Sequence, residues 1–562
     1  MSPGGTPEPS WLILGKMLAN KIVSVSWDMP ARHLLLPGFS FNTVTTPHDF
    51  GTRHHKWTTL KSFPTTPGVW QRTPDEVEQF YSALATLYEG SGFMFFAITG
   101  HVSLSVDTGN TGDISEAQEL VDKALKSAWL ALRYDHPTIA SQVTQDLATG
   151  KWTKTYRQSR DPIDQQKWLD KTLVYVSSVS SRQTGQAWAN DQPAAPKLPT
   201  LFVLSPPSSK AGFIRRDLIF RSPHDVIDGV GTLMLLNNFI SHASEAFSKG
   251  DDFKPPNLDG SEAANLSPPY RVAANIPPTL NDEQEKRLAD MAAQKSAVMG
   301  APHVEILDMP YRRGVNLLGR HRRVAHTLTK QQTDRLTVAC RTAGTTVTHA
   351  FHAAIALVLR DIQDQGSEAR RVRYVNYILR NERASCQAPY SSFQHPAALY
   401  HSIPGQSLVV DMDPLRCKDD EIRAEEFLRV VNVMKEFYHG VRNDKEHYAL
   451  APTIWAASTP DVPTSPRPLP VPPPKAHPSV SISSMGRVDS IIAPKTGAIA
   501  AYDPWVTGEE LGNGLGLFLG TFRNELCLSA AYNDAWHTEA DVLDFLKRCE
   551  DVVFQGFDLY CA

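Results

Sequence analysis

The chain has 562 residues, of which 41% are hydrophobic and 21% are charged, and its formal net charge is −4. This composition is ordinary for a globular protein, and the length exceeds one typical core, so two domains or two large lobes are expected. The charge gives no general attraction to nucleic acid, and no apolar run is long enough to span a membrane, so neither partner is expected.

Apolar residues recur at spacings that predict alternating helices and strands without a short repeat. In the first half the predicted elements are helices at Asp75–Tyr88 and Glu116–Leu132, strands at Leu201–Leu204 and Asp217–Arg221, and a helix after Gly229. In the second half they are a strand at Val324–Thr329, helices at Lys330–Ala343 and Thr346–Ile362, a strand at Leu526–Tyr532 and a helix at Glu539–Phe554. This mixture predicts an α/β or α+β fold.

Three stretches are predicted to lie outside these elements: Arg182–Lys197, Asp251–Pro278 and Pro460–Pro478. The second is rich in Pro, Asn, Asp and Ser and is expected to connect two lobes. Nine of the nineteen residues in the third are proline, which excludes a helix or a central strand. A surface loop is favoured there over a ligand for an SH3-like domain. The predicted division is an N-terminal lobe at 1–250, a linker at 251–290 and a C-terminal lobe at 291–562.

The cysteines and the N-terminal sequence bear on location. The six cysteines form no C-x-x-C pair, and their number is low for a disulfide scaffold, which indicates a reducing, cytoplasmic setting. Cys340 and Cys527 lie in apolar contexts and are predicted to fill the core. The apolar run Trp11–Leu14 stops before Lys16 and has no basic segment in front of it, which argues against a secretory signal.

The clearest chemical signal is the hexapeptide His224–Gly229, which reads H-x-x-x-D-G between a predicted strand and a predicted helix. An imidazole at such a turn can act as a general base on a hydroxyl. Asp228 is expected to turn away from the cavity and pair with an arginine, and Gly229 to let the backbone bend or pack closely. Asp225 is expected to be a solvated carboxylate or one at the helix N-terminus, where the helix dipole favours it. The motif alone leaves open a helix-start histidine with an aspartate cap.

Other candidate sites are weaker. His54 and His55 form a pair that is expected to lie in an exposed loop. His349 and His352 have a spacing that suits a metal, but no cysteine or carboxylate ligand lies nearby in the sequence, so no metal site is expected. The glycines at 512, 514, 516 and 520 lack the order of a nucleotide-binding loop, and no G-x-S-x-G elbow is present.

His224, Asp228 and Gly229 make the chain resemble the CoA-dependent acyltransferase superfamily, which includes chloramphenicol acetyltransferase, the plant BAHD acyltransferases and peptide-synthetase condensation domains. Pro223 stands where condensation domains carry an extra histidine, so the simple acyltransferase form is the nearer one. Further segments similar to this family are Arg341–Thr348 followed by Ala353-Ala354, Val375-Asn376 with Arg380 and Arg383, and Ser483–Gly486.

Within the superfamily, the length and the segment Ser484–Asp489 resemble fungal trichothecene 15-O-acetyltransferase-type enzymes of mycotoxin biosynthesis. The D-F-G-W-G motif of the plant enzymes is absent; Asp503-Pro504-Trp505 lies nearby without matching it. Residue roles of the plant enzymes in that region are therefore not carried over.

The resemblance implies a fold of two chloramphenicol-acetyltransferase-like lobes, each a mixed sheet with helices, and an active site in a tunnel between them. It implies direct acyl transfer, in which His224 deprotonates a hydroxyl that attacks the thioester of acetyl-CoA or another acyl-CoA. Asp228 would hold the turn by pairing with Arg380 or Arg383, and Ser483 or Ser484 would donate to the tetrahedral oxyanion.

The function expected from this resemblance is O-acyl transfer, in particular O-acetyl transfer, to a hydrophobic secondary metabolite such as a trichothecene-like sesquiterpenoid. The expected enzyme is a monomer with no bound cofactor, and acyl-CoA is its co-substrate. Two alternatives stay open: a condensation-type enzyme that uses a carrier-protein thioester, and a non-catalytic binding protein on the same fold. His321, Arg322, Arg323 and Lys330 are candidates for CoA phosphate contacts by basicity alone, and a solvated face is favoured for them.

Overall fold

The computed structural model describes residues 55–59, 68–109, 113–176, 184–191, 194–207, 211–363, 371–413, 420–463, 471–474 and 478–560. Within these ranges the strands are β1 (Thr58–Thr59), β2 (Val69–Arg72), β3 (Ile98–Asp107), β4 (Gln142–Gln145), β5 (Trp152–Arg157), β6 (Leu173–Tyr175), β7 (Thr200–Leu204), β8 (Phe213–Ser222), β9 (Val304–Ile306), β10 (His321–Thr327), β11 (Arg371–Asn376), β12 (Arg380–Asn381), β13 (His401–Ser402), β14 (Leu408–Met412), β15 (Val480–Arg487), β16 (Lys495–Thr496), β17 (Ile499–Gly508), β18 (Leu515–Phe522) and β19 (Glu525–Asn533). The α-helices in the same ranges are α1 (Glu76–Leu87), α2 (Ile114–Asp135), α3 (Pro162–Thr172), α4 (Gly185–Asn190), α5 (Gly229–Lys249), α6 (Tyr270–Ala273), α7 (Asp282–Met299), α8 (Lys330–Thr342), α9 (Val347–Ile362), α10 (Asp420–Asn443), α11 (His447–Ser458) and α12 (Glu539–Gly556).

The N-terminal lobe is built on a six-stranded mixed sheet in the order β16–β17–β3–β8–β7–β6. Strand β3 pairs antiparallel with β8 along its whole length, with Ile98 opposite Ser222. Helices α2 and α5 pack together against this sheet, and Trp129 and Phe239 join the strand residue Phe220 in one core. Because β8 is a central strand and α5 follows it closely, the turn between them is held on both sides by buried structure.

The C-terminal lobe is built on a four-stranded sheet in the order β10–β19–β18–β15, in which β15 and β18 run parallel. Helix α9 is buried on nearly every side, from His349 to Arg360. It packs against α10, α12 and the sheet. A helix that is apolar all round is expected in such an interior position. A second, three-stranded sheet in the order β14–β11–β9 completes this core.

One strand crosses between the lobes. Strand β17 belongs to the last quarter of the chain, yet it pairs antiparallel with β3, with Ile499 opposite Val106 and Gly508 opposite Ile98. The next strand, β18, returns to the C-terminal sheet. The predicted division into 1–250, 251–290 and 291–562 stays a prediction. Strand β17 lies in the part of the chain assigned to the C-terminal lobe, yet it pairs with the N-terminal sheet.

The predicted helices and strands are present, with ends that differ by a few residues. The prediction of a loop over Arg182–Lys197 is wrong for α4. That helix forms because Thr184 caps it by accepting a hydrogen bond from the amide of Ala187, and because Trp188 packs against Phe202 of the sheet. In the proline-rich stretch, residues 464–470 and 475–477 lie outside the described residues, as does the N-terminal run at 11–16.

The segment Asp251–Pro278 has little regular structure, as predicted, but parts of it are packed inside the protein. It contains two 3-10 turns and the short helix α6. Glu262 and Tyr270 are fully buried there. The hydroxyl of Tyr156 donates to the Glu262 carboxylate over 2.5 Å. The segment is therefore bound to the N-terminal lobe by specific contacts.

Among the described residues no single helix is long and apolar enough to cross a membrane; α8 and α9 pass such a test only as a pair, bent by 94°. Cys340, Cys386 and Cys549 are buried free thiols, and Cys527 is half-buried. Cys340 therefore fills the core as predicted, while Cys527 lies on a cavity wall.

Candidate active site

His224 lies in the turn between β8 and α5, and its ring is half-buried. Burial, and after it the neighbouring His401, lower the pKa of this imidazole to about 3, against the backbone carbonyl groups of His224 and Ile227 and the carboxylate of Asp228, which favour the protonated ring. Nδ1 is buried and makes no well-aligned hydrogen bond to the described residues. The imidazole is therefore neutral near pH 7.

The ring of Tyr81 fixes the plane of the His224 imidazole. The two rings stack with centroids 3.7 Å apart and planes 15° from parallel. Tyr81 projects from α1, and its hydroxyl lies 2.9 Å from Nε2 of His401. Tyr81 therefore packs against His224 and is itself held by His401, although both are distant from His224 in the sequence.

Asp228 turns away from His224 and caps α5. One carboxylate oxygen accepts a hydrogen bond of 2.7 Å from the amide of Gly231, and the other accepts from the amide of Tyr400 over 2.9 Å. The guanidinium of Arg383 donates to the same carboxylate over 2.9 Å. Although burial acts to raise its pKa, the charge of Arg383 and its hydrogen bond hold the pKa of Asp228 below its usual value. The carboxylate is thus ionised and holds the turn.

The two arginines that the sequence offered as partners of Asp228 have different positions. Arg383 makes the ion pair. Arg380 donates to the carbonyl groups of Val441 and Asp444 and lies 3.4 Å from the carboxylate of Glu382. Arg380 is therefore not the partner that holds the turn.

The glycine that the turn requires is not the glycine of the motif. Gly229 has a negative φ, and a Cβ built on it would lie 3.6 Å from the nearest atom of Val506, an ordinary contact. A Cβ at Gly231 would lie 2.2 Å from the carbonyl oxygen of Pro396 and 2.8 Å from the guanidinium of Arg383. Close approach of a neighbouring backbone therefore selects glycine at 231.

Ser483 and Ser484 lie on β15, which passes the N-terminal end of α5. The next residue, Met485, comes within 4.0 Å of a Cβ built on Gly229. Ser483 is half-buried, and Ser484 is exposed with its hydroxyl 2.8 Å from that of Thr348. Among the described residues, neither serine makes a hydrogen bond to His224. The structure brings this strand beside the motif helix, and an oxyanion role for either serine stays a prediction.

The buried ion pair of Lys154 and Glu78 lies next to the turn and is bonded to its backbone. Asp225 was expected to be solvated or to lie at the helix N-terminus; its carboxylate lies in the turn before α5 and accepts a hydrogen bond of 2.7 Å from Ser82 of α1, so it is not simply solvated. Lys154 donates to the backbone carbonyl of Asp225 and to the carboxylate of Glu78. The motif is therefore fastened to α1 and β5 as well as to its own strand.

Two expectations about other histidines can be compared with the structure. The prediction that the His54–His55 pair is exposed is wrong for His55, which is buried with Nδ1 near the carbonyl of Thr73. His352 contacts the hydroxyls of Tyr374 and Tyr438, one with each ring nitrogen. The described residues contain no group of three or more metal-ligating side chains.

Two of the basic residues that were candidates for CoA phosphate contacts are buried. A solvated face was expected, but His321 and Arg323 are buried. Arg322 pairs with Asp191 and Asp534. The prediction of a solvated face is therefore wrong for His321 and Arg323. They are alternate residues of β10, and both lie on its buried side.

Sequence reasoning missed Tyr81, His401 and Gly231. Tyr81 lies on the apolar face of a predicted amphipathic helix, which indicates burial but not a stacking partner. His401 carries no sequence signal. Gly231 had one: a glycine inside a predicted helix weakens that helix and indicates close packing.

Comparison with protein-family models finds no match. Two curated proteins of Monascus ruber are similar: acetyltransferase pigO, 26% identical over 494 residues that cover 86% of this chain and 95% of that protein, and O-acetyltransferase pigM, 26% identical over 485 residues that cover 84% and 82%. Among solved structures, TRI3 trichothecene 15-O-acetyltransferase from Fusarium sporotrichioides superposes with a TM-score of 0.70 at 18% identity, covering 90% of this chain and 99% of that one. The epimerization domain of the third module of tyrocidine synthetase B has a TM-score of 0.53 at 14% identity, covering 89% and 99%. The chain therefore has the two-lobe fold of the CoA-dependent acyltransferase superfamily, which its motifs indicated, and over most of its length it is similar to fungal acetyltransferases.

Proposed function

We propose that this chain is an O-acetyltransferase that moves the acetyl group of acetyl-CoA to a hydroxyl of a hydrophobic secondary metabolite, such as a trichothecene-like sesquiterpenoid. The observation that carries the proposal is the neutral imidazole of His224, stacked on Tyr81 with Nδ1 buried at the start of α5. The fold and the similar fungal acetyltransferases support it. We further propose that the enzyme acts as a monomer in the cytoplasm, a location that its free buried thiols support.

In this mechanism Nε2 of His224 accepts the proton of the acceptor hydroxyl while its oxygen attacks the thioester carbonyl. A donor on β15, Ser483 or Ser484, stabilises the oxyanion of the tetrahedral intermediate. The intermediate then collapses, and the thiolate of CoA leaves and takes the proton from the imidazolium. Because the surroundings disfavour the charged ring, the imidazolium returns its proton readily. The acyl group moves directly, from sulfur to oxygen, without an acyl-enzyme.

The test is to incubate the purified protein with acetyl-CoA and a panel of hydroxylated sesquiterpenoids, and to follow acetylated product and free CoA by mass spectrometry. Replacing His224 by Ala should lower kcat by about 10²- to 10⁴-fold, the usual contribution of a general base. The melting temperature should change little, since the ring is half-buried. His303→Ala, at an exposed histidine, is the matched control and should keep full activity.

Two outcomes would change the proposal. A His224→Ala variant that acetylates at the normal rate would remove His224 from the chemistry. Transfer from a carrier-protein thioester but not from free acetyl-CoA would replace the donor by the condensation-type alternative.

A further inference from the structure

A cavity of about 230 Å3 lies between β17 and the face of the C-terminal sheet, next to the motif. Met485 and Val506 line it, and they are also the side chains nearest to Gly229. The remaining apolar wall is formed by Leu233, Val488, Phe518 and Phe522. The cavity therefore begins one side chain away from the turn that carries His224.

Arg323 is the unusual residue in this wall. It is only 2% exposed, and its guanidinium lies 4.3 Å from the ring centroid of Trp505. Nη1 donates to the side-chain carbonyl of Gln186 over 2.7 Å, Nη2 lies 3.8 Å from the sulfur of Cys527, and Nε is buried without a partner. In the part of the chain that the structure describes, no carboxylate lies within ion-pair distance of it. The carboxylate of Asp503 acts on this charge only from beyond ion-pair distance, and a buried charge without a close counterion is costly.

The other charges around the cavity define which anion would suit it. Arg523 uses its donors on the backbone carbonyl groups of Ala501 and Pro494. Asp503 and Glu525 lie at the rim. Two cations and two carboxylates therefore lie around the cavity, and Arg323 is the cation whose donors are not all used by the protein. A single carboxylate on an apolar body suits this arrangement, whereas a phosphate dianion would bring a second negative charge to cations that the two carboxylates already offset.

We propose that this cavity binds the carboxylate of an apolar acid against Arg323, so that one substrate of the acyl transfer carries a carboxylate. The assignment of the ligand as a substrate rests on the proposed function. The guanidinium donates to the carboxylate through Nη2, whose one described partner is the sulfur of Cys527, and the buried charge gains a close counterion. The volume corresponds to roughly eight water molecules, which suits a short alkyl chain or one ring.

The first experiment measures binding without catalysis. Octanoate, octanamide and octyl phosphate are titrated into the wild-type protein by calorimetry. We expect octanoate to bind at least about tenfold more tightly than octanamide, the difference that one charge-assisted hydrogen bond supplies. Equal binding of the acid and the amide, or tighter binding of the phosphate, would overturn the proposal.

Two variants locate the site. Arg323→Gln should remove the preference for octanoate over octanamide. Arg322→Gln, which deletes the same charge one residue away on the opposite face of β10, should keep it. Loss of the preference in both variants would overturn the proposal, as would its persistence in Arg323→Gln. Circular dichroism checks that each variant is folded; should Arg323→Gln unfold, the acid–amide comparison in the wild-type protein decides alone.

Turnover then separates this proposal from the proposed function. Acetylation of neutral alcohols without octanoate binding would overturn the carboxylate site and leave the function. Arg323-dependent binding of octanoate without any acyl transfer would support the site and overturn the function. When both hold, a preference for a hydroxy acid over its methyl ester places the carboxylate on the acceptor, and a preference for succinyl-CoA over acetyl-CoA places it on the acyl group.

Discussion

Asp228 and His224 do not touch, and the side chains between them are Tyr81 and His401. Burial lowers the pKa of His401 and raises that of Tyr81 well above its ordinary value, so the imidazole is neutral and the phenol keeps its proton. The phenol then donates to Nε2 of His401, which assigns the ring proton of His401 to Nδ1, 3.9 Å from the Asp228 carboxylate. Asp228 thus acts on His224 through two intermediate side chains and the backbone.

This link predicts a graded effect of changes at Tyr81. Tyr81→Phe keeps the stack but loses the hydroxyl, and kcat should fall about fivefold, which corresponds to one net hydrogen bond. Tyr81→Leu also loses the aromatic face, and its kcat should fall further, while KM changes little in both variants. Steady-state kinetics, with kcat and KM determined separately for both variants and the wild-type protein, tests this prediction.

The matched control is Tyr88→Phe. Tyr88 is buried directly after the same helix, its hydroxyl makes no hydrogen bond to the described residues, and its ring packs on Phe95. This variant should keep normal kcat. Equal kcat values for Tyr81→Phe and Tyr81→Leu would show that the stacked ring does not position His224.

The site could be predicted from the sequence only where its residues are close together in the chain. The spacing of His224 and Asp228 indicated the base and its support, and Arg383 was one of two proposed partners. Tyr81 and His401 reach the same place from about 140 residues before and about 180 residues after His224, and no local pattern joins them. Their contacts depend on tertiary packing, which a single sequence does not encode in its spacing.

At the scale of elements, the start of α5 combines a cap, an ion pair and a close backbone crossing. Asp228 caps the helix and binds Arg383, and the carbonyl of Pro396 lies directly over Gly231. These contacts fix the first turn of the helix against the segment that leads to β13. The geometry of the turn therefore depends on how closely the backbone at Pro396 can approach Gly231.

The two glycines should respond in opposite ways to alanine. Gly231→Ala forces a methyl group into a carbonyl oxygen, and the free energy of unfolding should fall by about 1–3 kcal/mol or more, as for an overpacked core. Gly229→Ala makes ordinary contacts at the first helical position and should leave stability unchanged or raise it by up to about 1 kcal/mol. Urea denaturation of both variants measures this, and a larger loss at Gly229 would contradict the packing that the structure shows.

One strand escaped prediction because a charge is buried in it. Strand β5 was not predicted, because Lys154 stands at one of its inward positions. That lysine is fully buried since its ammonium lies 2.7 Å from the carboxylate of Glu78, which also binds Arg72. A residue that looks polar in the sequence is thus an interior residue here, and its partner lies on another element.

At the scale of the whole molecule, buried neutral histidines make stability depend on pH. Burial lowers the pKa to about 4 in His136 and His349 and to about 3 in His321 and His352. In the unfolded chain each would titrate near 6.5. Between pH 6.5 and these lower values the unfolded state binds more protons than the folded state, so stability is fully present above pH 6.5 and is lost as the pH falls.

His224, whose pKa is also about 3, adds a fifth group of this kind. We expect the free energy of unfolding to fall by about 5 kcal/mol from pH 7 to pH 5.5, which is the loss from five histidines less the opposing contribution of one carboxyl. The opposing group is Asp75, whose pKa burial raises to about 7, so that it gains a proton in the same range. Urea denaturation at the two pH values measures the change. His321→Gln should reduce the loss by about 1 kcal/mol, and His303→Gln, at an exposed position, should not. Equal stability at the two pH values would contradict the burial of neutral rings.

The overall architecture was predictable from length and motif to the level of two lobes with mixed sheets. The crossing of β17 was not, because its segment Ile499–Gly508 has the alternation of any strand and carries no mark of its partner. Which sheet a strand joins is decided by the packing of the finished molecule.

That crossing also sets the order in which the chain can be completed during synthesis. Strand β3 pairs with β8 early, but its other edge must wait for β17, about 280 residues later in the chain. At 5–20 residues per second the ribosome needs roughly 15–55 s to supply them. For that time the nascent N-terminal sheet presents an open edge, the feature on which strands of other chains can add. The N-terminal sheet is thus complete only after the last quarter of the protein has emerged.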